Sequence, residues 1–225
     1  MKLSPARFNA HLRHMGQDVL WRRAFACPCR DPDSGAARQG CPHCLGKGKS
    51  WTDNVPAYVG LTGMQRQRQW AQMGLYEAGD VVVSLPSDSP IYALGETDRV
   101  AFTDSSDAFS IHLTRGQNDA LLPWTALQFD RLYWIDPDTD TTIEGALPLL
   151  DPTTNTAVAL TWAIPDPLLP EPELLEPPAG MQYSLTGRKL PEFFVWGDLV
   201  QTRHHHGGFA LPRHVVLRRF DLFGK

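Results

Sequence analysis

The sequence lacks the long apolar runs that a membrane-spanning helix needs, since no stretch approaches about 20 consecutive apolar residues. Its first residues also lack the apolar segment and the cleavage site of a secretory signal. At 42% hydrophobic and 20% charged among 225 residues, the composition is too apolar for a disordered chain. We therefore expect a folded protein that is made in the cytoplasm.

Common catalytic motifs are absent as well. The chain has no Gly-x-Ser-x-Gly elbow, P-loop, HExxH motif or dinucleotide fingerprint. Serine, histidine and aspartate are plentiful, but no spacing groups them into a triad. We predict that the protein is not an enzyme and that it has neither catalytic residues nor an organic cofactor.

Charge is unevenly distributed behind the net value of −4. Residues 1–50 carry nine basic and three acidic side chains, and residues 181–225 carry seven and three. Residues 51–180 carry only five basic side chains against nineteen acidic ones. Because complementary potentials orient protein partners, the pattern favours docking onto oppositely charged neighbours. The alternative is an ordinary fluctuation of surface charge.

Nineteen prolines and eighteen glycines predict many short elements joined by turns. Ser4 to Arg23 has apolar residues at helical spacing, which predicts an amphipathic helix that Gly16 ends or bends. Beyond Trp51, short apolar runs between turn residues indicate a mainly β fold, either a barrel or a sandwich. The candidate strands are Ala57–Met64, Asp80–Leu85, Arg99–Thr103, Phe109–Thr114, Phe129–Ile135, Ala157–Trp162, Met181–Thr186, Phe193–Trp196 and Val215–Phe220.

Four segments follow from this pattern. Residues 1–50 hold the helix and a cysteine cluster, and residues 51–162 form a β-rich domain, with 106–162 either an inserted lobe or a continuation of the same sandwich. Residues 163–180 contain six prolines and predict an extended connector or arm, whose leucines pack on this chain or on another subunit. Residues 181–225 are predicted to return to the β core. The segment Met64–Leu75 suits a helix and a solvated strand equally well.

All four cysteines lie within eighteen residues, as the pairs Cys27-Pro-Cys29 and Cys41-Pro-His43-Cys44. Two close pairs around a short polar loop match tetrahedral zinc, because each pair supplies two sulfurs to one side of the ion. The glycines at 46 and 48 allow the backbone to turn its amides toward the thiolates. We predict a structural Zn²⁺ site at Cys27, Cys29, Cys41 and Cys44, within a small zinc-binding knuckle.

Other states of these cysteines stay open at this point: disulfides, unligated thiols, and a site in which His43 replaces one cysteine. Disulfides fit poorly with a cytoplasmic origin, because cellular reductants keep thiols reduced. Four protein ligands leave no open coordination position, so the metal is expected to support the fold and not to catalyse a reaction.

Basic side chains surround the cysteine cluster in the sequence and suggest a second hypothesis, that the protein binds nucleic acid. A zinc ribbon with this charge would bind nucleic acid through phosphate contacts, whereas the alternative is a set of solvated charges on a metal-clipped loop. The residues concerned are Arg22, Arg23, Arg30, Arg38, Lys47 and Lys49.

Two further clusters have weaker signals. Asp136-Pro-Asp138-Thr-Asp140 begins like a calcium loop but departs from that pattern at Thr141 and Leu147, so it predicts an acidic hairpin turn. His204–His206 could bind a transition metal, but adjacent strand residues point to opposite faces, so a surface loop is the prediction.

Taken in order, the motifs resemble a family of structural proteins from the neck, or collar, of tailed bacteriophages, where head and tail are connected. The motifs that carry this resemblance are the N-terminal helix leading into CPC…CPHCLGKG, then Gly79–Pro90 (GDVVVSLPSDSP), Asp98–Val100, Pro177–Ser184 and Leu211–Arg219.

The resemblance implies a virion protein that forms a ring between the portal and the tail. Its partners would be copies of itself, the portal or adaptor proteins and the tail proteins, with genomic DNA passing through the channel without specific binding. No membrane partner is expected. The alternatives are a zinc-ribbon nucleic-acid-binding protein and a structural protein of the tail or baseplate.

Overall fold

The computed structural model describes residues 4–41, 43–44, 46–61, 79–117, 122–150, 160–161, 176–198, 205–206 and 208–222. It confirms a mainly β fold with a closed barrel and one short N-terminal helix. The helix and strands are α1 (Pro5–Met15), β1 (Gln17–Arg22), β2 (Ala24–Ala26), β3 (Lys49–Trp51), β4 (Val55–Leu61), β5 (Val81–Leu85), β6 (Arg99–Phe102), β7 (Asp107–Thr114), β8 (Ala126–Ile135), β9 (Thr142–Glu144), β10 (Leu149–Leu150), β11 (Leu160–Thr161), β12 (Gln182–Lys189), β13 (Glu192–Asp198), β14 (His205–His206), β15 (Phe209–Ala210) and β16 (Arg213–Arg219).

The chain divides into two compact units. Unit 1 consists of residues 1–104 and 191–225, and unit 2 consists of residues 105–190. These bounds differ from the predicted segments 1–50, 51–162, 163–180 and 181–225. The difference arises because β1 pairs with later strands of unit 1, and because the division at residue 190 separates β12 from β13.

The N-terminal helix is shorter than the sequence pattern predicted. α1 ends at Met15 with Gly16 as its C-cap, which agrees with the first of the two alternatives for this glycine, and the residues from Gln17 to Arg22 form strand β1, where the apolar spacing had indicated a helix. Gly16 marks the change of direction, since a Cβ there would lie 2.3 Å from the Leu12 carbonyl oxygen and 2.8 Å from that of Val59. Only glycine allows this close approach of three backbone segments.

Unit 1 contains a six-stranded antiparallel barrel in the order β1-β4-β5-β16-β13-β6, closed by pairing of β6 with β1. Closure leaves no free barrel edge and encloses an apolar core. Each fully buried aliphatic or aromatic side chain in such a core contributes about 1.5–3 kcal/mol. The core residues are Val19, Trp21, Val59, Val83, Leu85, Ile91, Leu94, Val100, Phe102, Phe193, Val195, Val215 and Leu217.

Unit 2 is built on a four-stranded antiparallel sheet in the order β7-β12-β8-β9. Four residues of β8, at positions 126, 129, 132 and 134, are buried, and they join a core of aromatic and aliphatic side chains that includes Phe129, Leu132 and Trp134. Other residues of the same strand, such as Tyr133 and Ile135, are exposed. Unit 2 therefore has its own hydrophobic core.

The other strand predictions from Ala57 onward each overlap an observed strand, except where residues are not described. Of the strand predicted at Ala157–Trp162, only Leu160–Thr161 is described. The segment Met64–Leu75 lies outside the described residues, as does the predicted connector 163–180 up to residue 175. In the described part of the chain, no helix is both long enough and apolar enough to cross a membrane.

Candidate metal centre

The four cysteines lie at the end of a long β-hairpin. β1 pairs with β4, and beyond Arg22 the two chain segments continue as the shorter ribbon β2–β3, in which Ala24 faces Trp51. The residues between β2 and β3 fold back and bring the two cysteine pairs together. We call residues 23–51 the cysteine lobe.

The four Sγ atoms form a compact group, all within 4.8 Å of one another. The Sγ atoms of Cys27 and Cys41 are 3.8 Å apart, and those of Cys29 and Cys44 are 3.5 Å apart. Four sulfurs placed about 2.3 Å from a central ion form a tetrahedron with edges of about 3.8 Å. All four cysteines are free, and a disulfide would need about 2.05 Å between sulfurs. The arrangement can therefore hold one metal ion.

Backbone amides favour the thiolate form on one side of the cluster. The N–H groups of Cys44 and His43 donate to the sulfur of Cys41 and lower its pKa to about 6. The backbone N–H of Cys29 similarly lowers the pKa of Cys27. These donors come from the tight turns that the Cys-Pro sequences begin, so the local sequence prepares two ligands for deprotonation.

Cys29 has the opposite tendency. The backbone N–H of Arg38 favours its thiolate, but burial and the neighbouring sulfurs of Cys27, Cys44 and Cys41 outweigh that donor and raise the pKa of Cys29 to about 12. Four adjacent thiols thus resist full ionisation by themselves. A cation among them removes this resistance, because its positive charge stabilises every thiolate at once.

Gly48 closes the lobe. Its carbonyl accepts the N–H of Cys27 at 3.0 Å, which links the second cysteine pair to the first. Gly48 has a φ of +69°, and a Cβ there would lie 3.1 Å from the Cβ of Ala37. Both the backbone conformation and the close packing therefore require glycine at this position.

An aspartate orders the loop between the two cysteine pairs. Oδ1 of Asp31 accepts the N–H of Asp33, the N–H of Ser34 and the Ser34 hydroxyl. The Ser34 and Asp33 donors lower the pKa of Asp31. Asp31 N–H also bonds to the Ala36 carbonyl at 2.9 Å, so a compact turn connects the pairs.

Aromatic contacts join the cysteine lobe to the end of the chain in unit 1. The rings of Trp51 and Phe220 meet edge to face at 5.2 Å, and the Lys47 ammonium lies 4.5 Å from the Phe220 ring centroid. Trp51 Nε1 donates to the Thr97 carbonyl at 3.0 Å. The hairpin is therefore fixed to the barrel on the β3 side.

Asp98 fixes the β2 side. Its buried carboxylate accepts Trp21 Nε1 at 2.9 Å, the Ala24 N–H at 2.7 Å and the Gly95 N–H at 2.9 Å. The next residue, Arg99, forms a buried ion pair with Glu192. Buried charges that are paired and hydrogen-bonded in this way hold one defined geometry, since breaking either bond leaves an uncompensated group.

Arg22 does not have the exposed position that a phosphate-binding residue needs. It is 3% exposed, its Nε donates to Asn54 Oδ1 at 2.6 Å, and burial lowers its pKa to about 10. Lys47 is half-buried against Phe220. Arg23, Arg30 and Arg38 are exposed. The predicted basic surface thus loses Arg22 to the protein interior.

His43 is exposed, and the metal-competent group found among the described residues consists of cysteines alone. The sequence therefore identified every member of this group. It missed the residues that fix the lobe to the barrel, Asp98, Glu192 and Phe220, because they are distant in the chain. The only signal was the occurrence of Asp98 in a motif that carries the family resemblance.

The other predicted clusters have structural positions of their own. The acidic stretch forms the turn between β8 and β9, where Asp136 Oδ1 accepts the Asp138 N–H at 2.9 Å and Oδ2 accepts the Thr139 hydroxyl. These bonds occupy the carboxylate as in a hairpin turn. His205 and His206 form strand β14 and pair with β15, so the prediction of a loop is wrong for these two residues, whereas His204 lies outside the described residues.

No family model matches this chain, and no curated protein matches it significantly in sequence.

Proposed function

We propose that this chain is a structural protein of a tailed bacteriophage and that it forms part of the neck ring between portal and tail. The observation that carries the proposal is the structural position of the motifs on which the resemblance rests. The polar residues of these motifs form ion pairs and hydrogen bonds that hold the barrel together. Such contacts are expected if the motifs serve the structure of the subunit.

Asp80 and Arg218 come from two of these motifs and form a bidentate ion pair, with distances of 3.1 and 3.0 Å. Arg213 donates to the carbonyls of Tyr92 and Leu94, which ties β16 to the 3-10 turn Pro90–Ala93. Asp98 joins the barrel to the cysteine lobe, as described above. Each of these side chains has a structural partner, which supports a framework role over a catalytic one.

We further infer that the ion held by the cysteines is Zn²⁺. Four cysteine sulfurs within 4.8 Å of one another suit zinc, which accepts this soft ligand set and prefers tetrahedral coordination. Four protein ligands leave no position for water or substrate, so the ion would act as a structural clip. When bound, it would supply the charge that keeps all four thiolates ionised.

This clip would stiffen the tip of the β1–β4 hairpin. In the cysteine lobe, the buried cluster consists of the cysteines themselves. A rigid protrusion on a closed barrel suits a subunit that must hold its shape within an assembly. The proposed protein partners are copies of the same chain and the portal, adaptor and tail proteins. An acidic surface toward the channel would repel the phosphates of the genomic DNA and let the DNA slide through.

Mass spectrometry of density-purified virus particles tests the location. We expect this chain at about a dozen copies per particle relative to the major capsid protein, as for a ring component. Cross-linking should then join it to portal or tail proteins, and links to baseplate proteins alone would move it to the tail. Absence from particles, with abundant protein in the lysate, would refute the proposal.

The zinc-ribbon alternative makes a separate prediction. It requires DNA binding that weakens steeply with salt and that is lost when Arg23 and Lys49 are neutralised. The exposed arginines of the lobe could contact phosphates. The burial of Arg22 removes one residue from the expected contact surface.

A further inference from the structure

The two structural units carry opposite net charge. Unit 1 has seventeen basic and thirteen acidic side chains, for a net charge of +4. Unit 2 has four basic and twelve acidic side chains, for a net charge of −8. The change of sign therefore coincides with the division of the fold. Two copies placed with unit 1 of one against unit 2 of the other attract, whereas like units repel.

The positive charge of unit 1 is concentrated on the cysteine lobe, where residues 23–51 hold five basic and two acidic side chains. The side chains of Arg23 and Arg38 are exposed at its surface. Phe25 lies on β2 beside Arg23 and is 47% exposed. An exposed aromatic ring with neighbouring arginines has the composition of a protein-binding surface.

Half of the net negative charge of unit 2 lies on the β8–β9 hairpin, where residues 126–144 hold five acidic side chains and one arginine. That residue, Arg131, lies 4.0 Å from Glu144 of the same hairpin. Ile135, next to the acidic turn, is 56% exposed, and Asp138 and Asp140 are exposed in the turn itself. The bonds of Asp136 hold this turn in one conformation, so its surface is ordered before binding.

We propose that the acidic β8–β9 hairpin of one copy docks on the basic cysteine lobe of the next copy. Ile135 and Phe25 supply apolar contact, and the surrounding charges orient the two surfaces. The two surfaces differ, so the contact is head to tail, and it closes into a ring when the rotation per subunit allows. The inference deepens the proposed function, because it names the contact within the ring.

The test uses two full-length variants with opposite charge changes. Asp138→Lys with Asp140→Asn reduces the net charge of residues 126–144 from −4 to −1 and leaves the turn itself neutral, and asparagine suits the φ of +51° at position 140. Arg23→Glu with Arg38→Glu makes the lobe negative, and it leaves the backbone hydrogen bonds of Arg23 and the four thiols in place. The hairpin variant by itself loses most of the attraction to its lobe, and the lobe variant by itself brings two negative surfaces together.

Sedimentation velocity is then measured for each variant and for an equimolar mixture. We expect wild-type chains to associate, and each variant alone to associate with a dissociation constant raised at least about tenfold. The mixture should recover association between unlike variants, because the native lobe of one variant meets the native hairpin of the other. High salt should weaken all of these contacts.

Glu96→Lys with Asp104→Asn is the control matched to the hairpin variant, since it makes the same change of +3 in net charge at exposed positions outside residues 23–51 and 126–144. It should associate like the wild type. A mixture that associates no better than its components, or a wild-type chain that stays monomeric at about 100 μM, would overturn the inference. If mixing restores association but the chain is absent from virus particles, the contact is upheld and the neck location is refuted. If the chain is present in particles but mixing does not restore association, the neck location is upheld and the contact is refuted.

Discussion

Loss of the metal ion should unfold the cysteine lobe and leave the barrel folded. The buried cluster of the lobe is formed by its cysteines, whereas the barrel has a separate core of aliphatic and aromatic side chains. Removing the ion leaves four thiols that no longer hold the two halves of the lobe together. The perturbations are treatment with a strong chelator and, separately, the substitution Cys41→Ser.

The expected magnitude follows from linkage between binding and folding. An ion present at a thousand times its dissociation constant stabilises the folded state by about 4.1 kcal/mol. In a chain of this size, 1 kcal/mol shifts the melting temperature by about 2–4 °C. The upper bound is therefore a shift of about 8–16 °C, because a lobe that opens before the barrel carries only part of this energy into the main transition.

Hydrogen exchange and thermal melting provide the measurements. Chelation and Cys41→Ser should each speed exchange of residues 24–51 and lower the melting temperature, while β5 and β16 keep their protection. His43→Ser is the matched control, because the side chain of His43 is exposed and the substitution keeps the backbone N–H of residue 43 that donates to Cys41. Equal melting and equal exchange for holo protein, chelated protein and both variants would refute the reasoning.

Three further predictions concern the lobe, the barrel and the hairpin turn. Gly48→Ala should weaken metal binding and lower the stability of the lobe by about 1–2 kcal/mol, because position 48 has a positive φ and a close contact with Ala37. Gly40→Ala is the control, since no atom lies within 4 Å of the added Cβ, and it should behave like the wild type in metal titration. Asp80→Asn should destabilise the barrel by about 3 kcal/mol in denaturant unfolding, because it removes the carboxylate from the buried ion pair with Arg218. The Asp138 N–H and the Thr139 hydroxyl lower the pKa of Asp136, so the ionised carboxylate should stabilise the fold above about pH 3.9 and lose this effect as pH falls through the folded-state pKa. The difference in unfolding free energy between wild type and Asp136→Asn should therefore shrink over that pH range. A difference that stays constant would contradict the assignment.

The sequence could predict features that depend on local spacing. The alternation of apolar and turn residues predicted the strands from Ala57 onward, and the spacing of the four cysteines predicted their grouping. The choice of a barrel over a sandwich depends on β1 pairing with both β4 and β6, which are distant in the chain. Helical spacing around Val19 concealed that strand, because the same apolar residues fit either period over so short a segment.

The surroundings of the candidate site could not be predicted for the same reason. Arg22 reads as one of several basic residues near the cysteines, yet its burial depends on groups contributed by later strands. The packing of Phe220 against Trp51 joins residues from the two separate chain segments of unit 1. Such long-range pairs leave no periodic signal in a single sequence.

Native mass spectrometry of the protein, purified without added metal, tests the metal-clipped subunit most directly. We predict a native mass that exceeds the denatured mass by one zinc ion less the protons it displaces, together with assemblies at multiples of that mass. Chelation should remove the extra mass, and the four thiols should then react with an alkylating reagent. A metal-free native chain whose four thiols are all reactive before chelation would contradict the account.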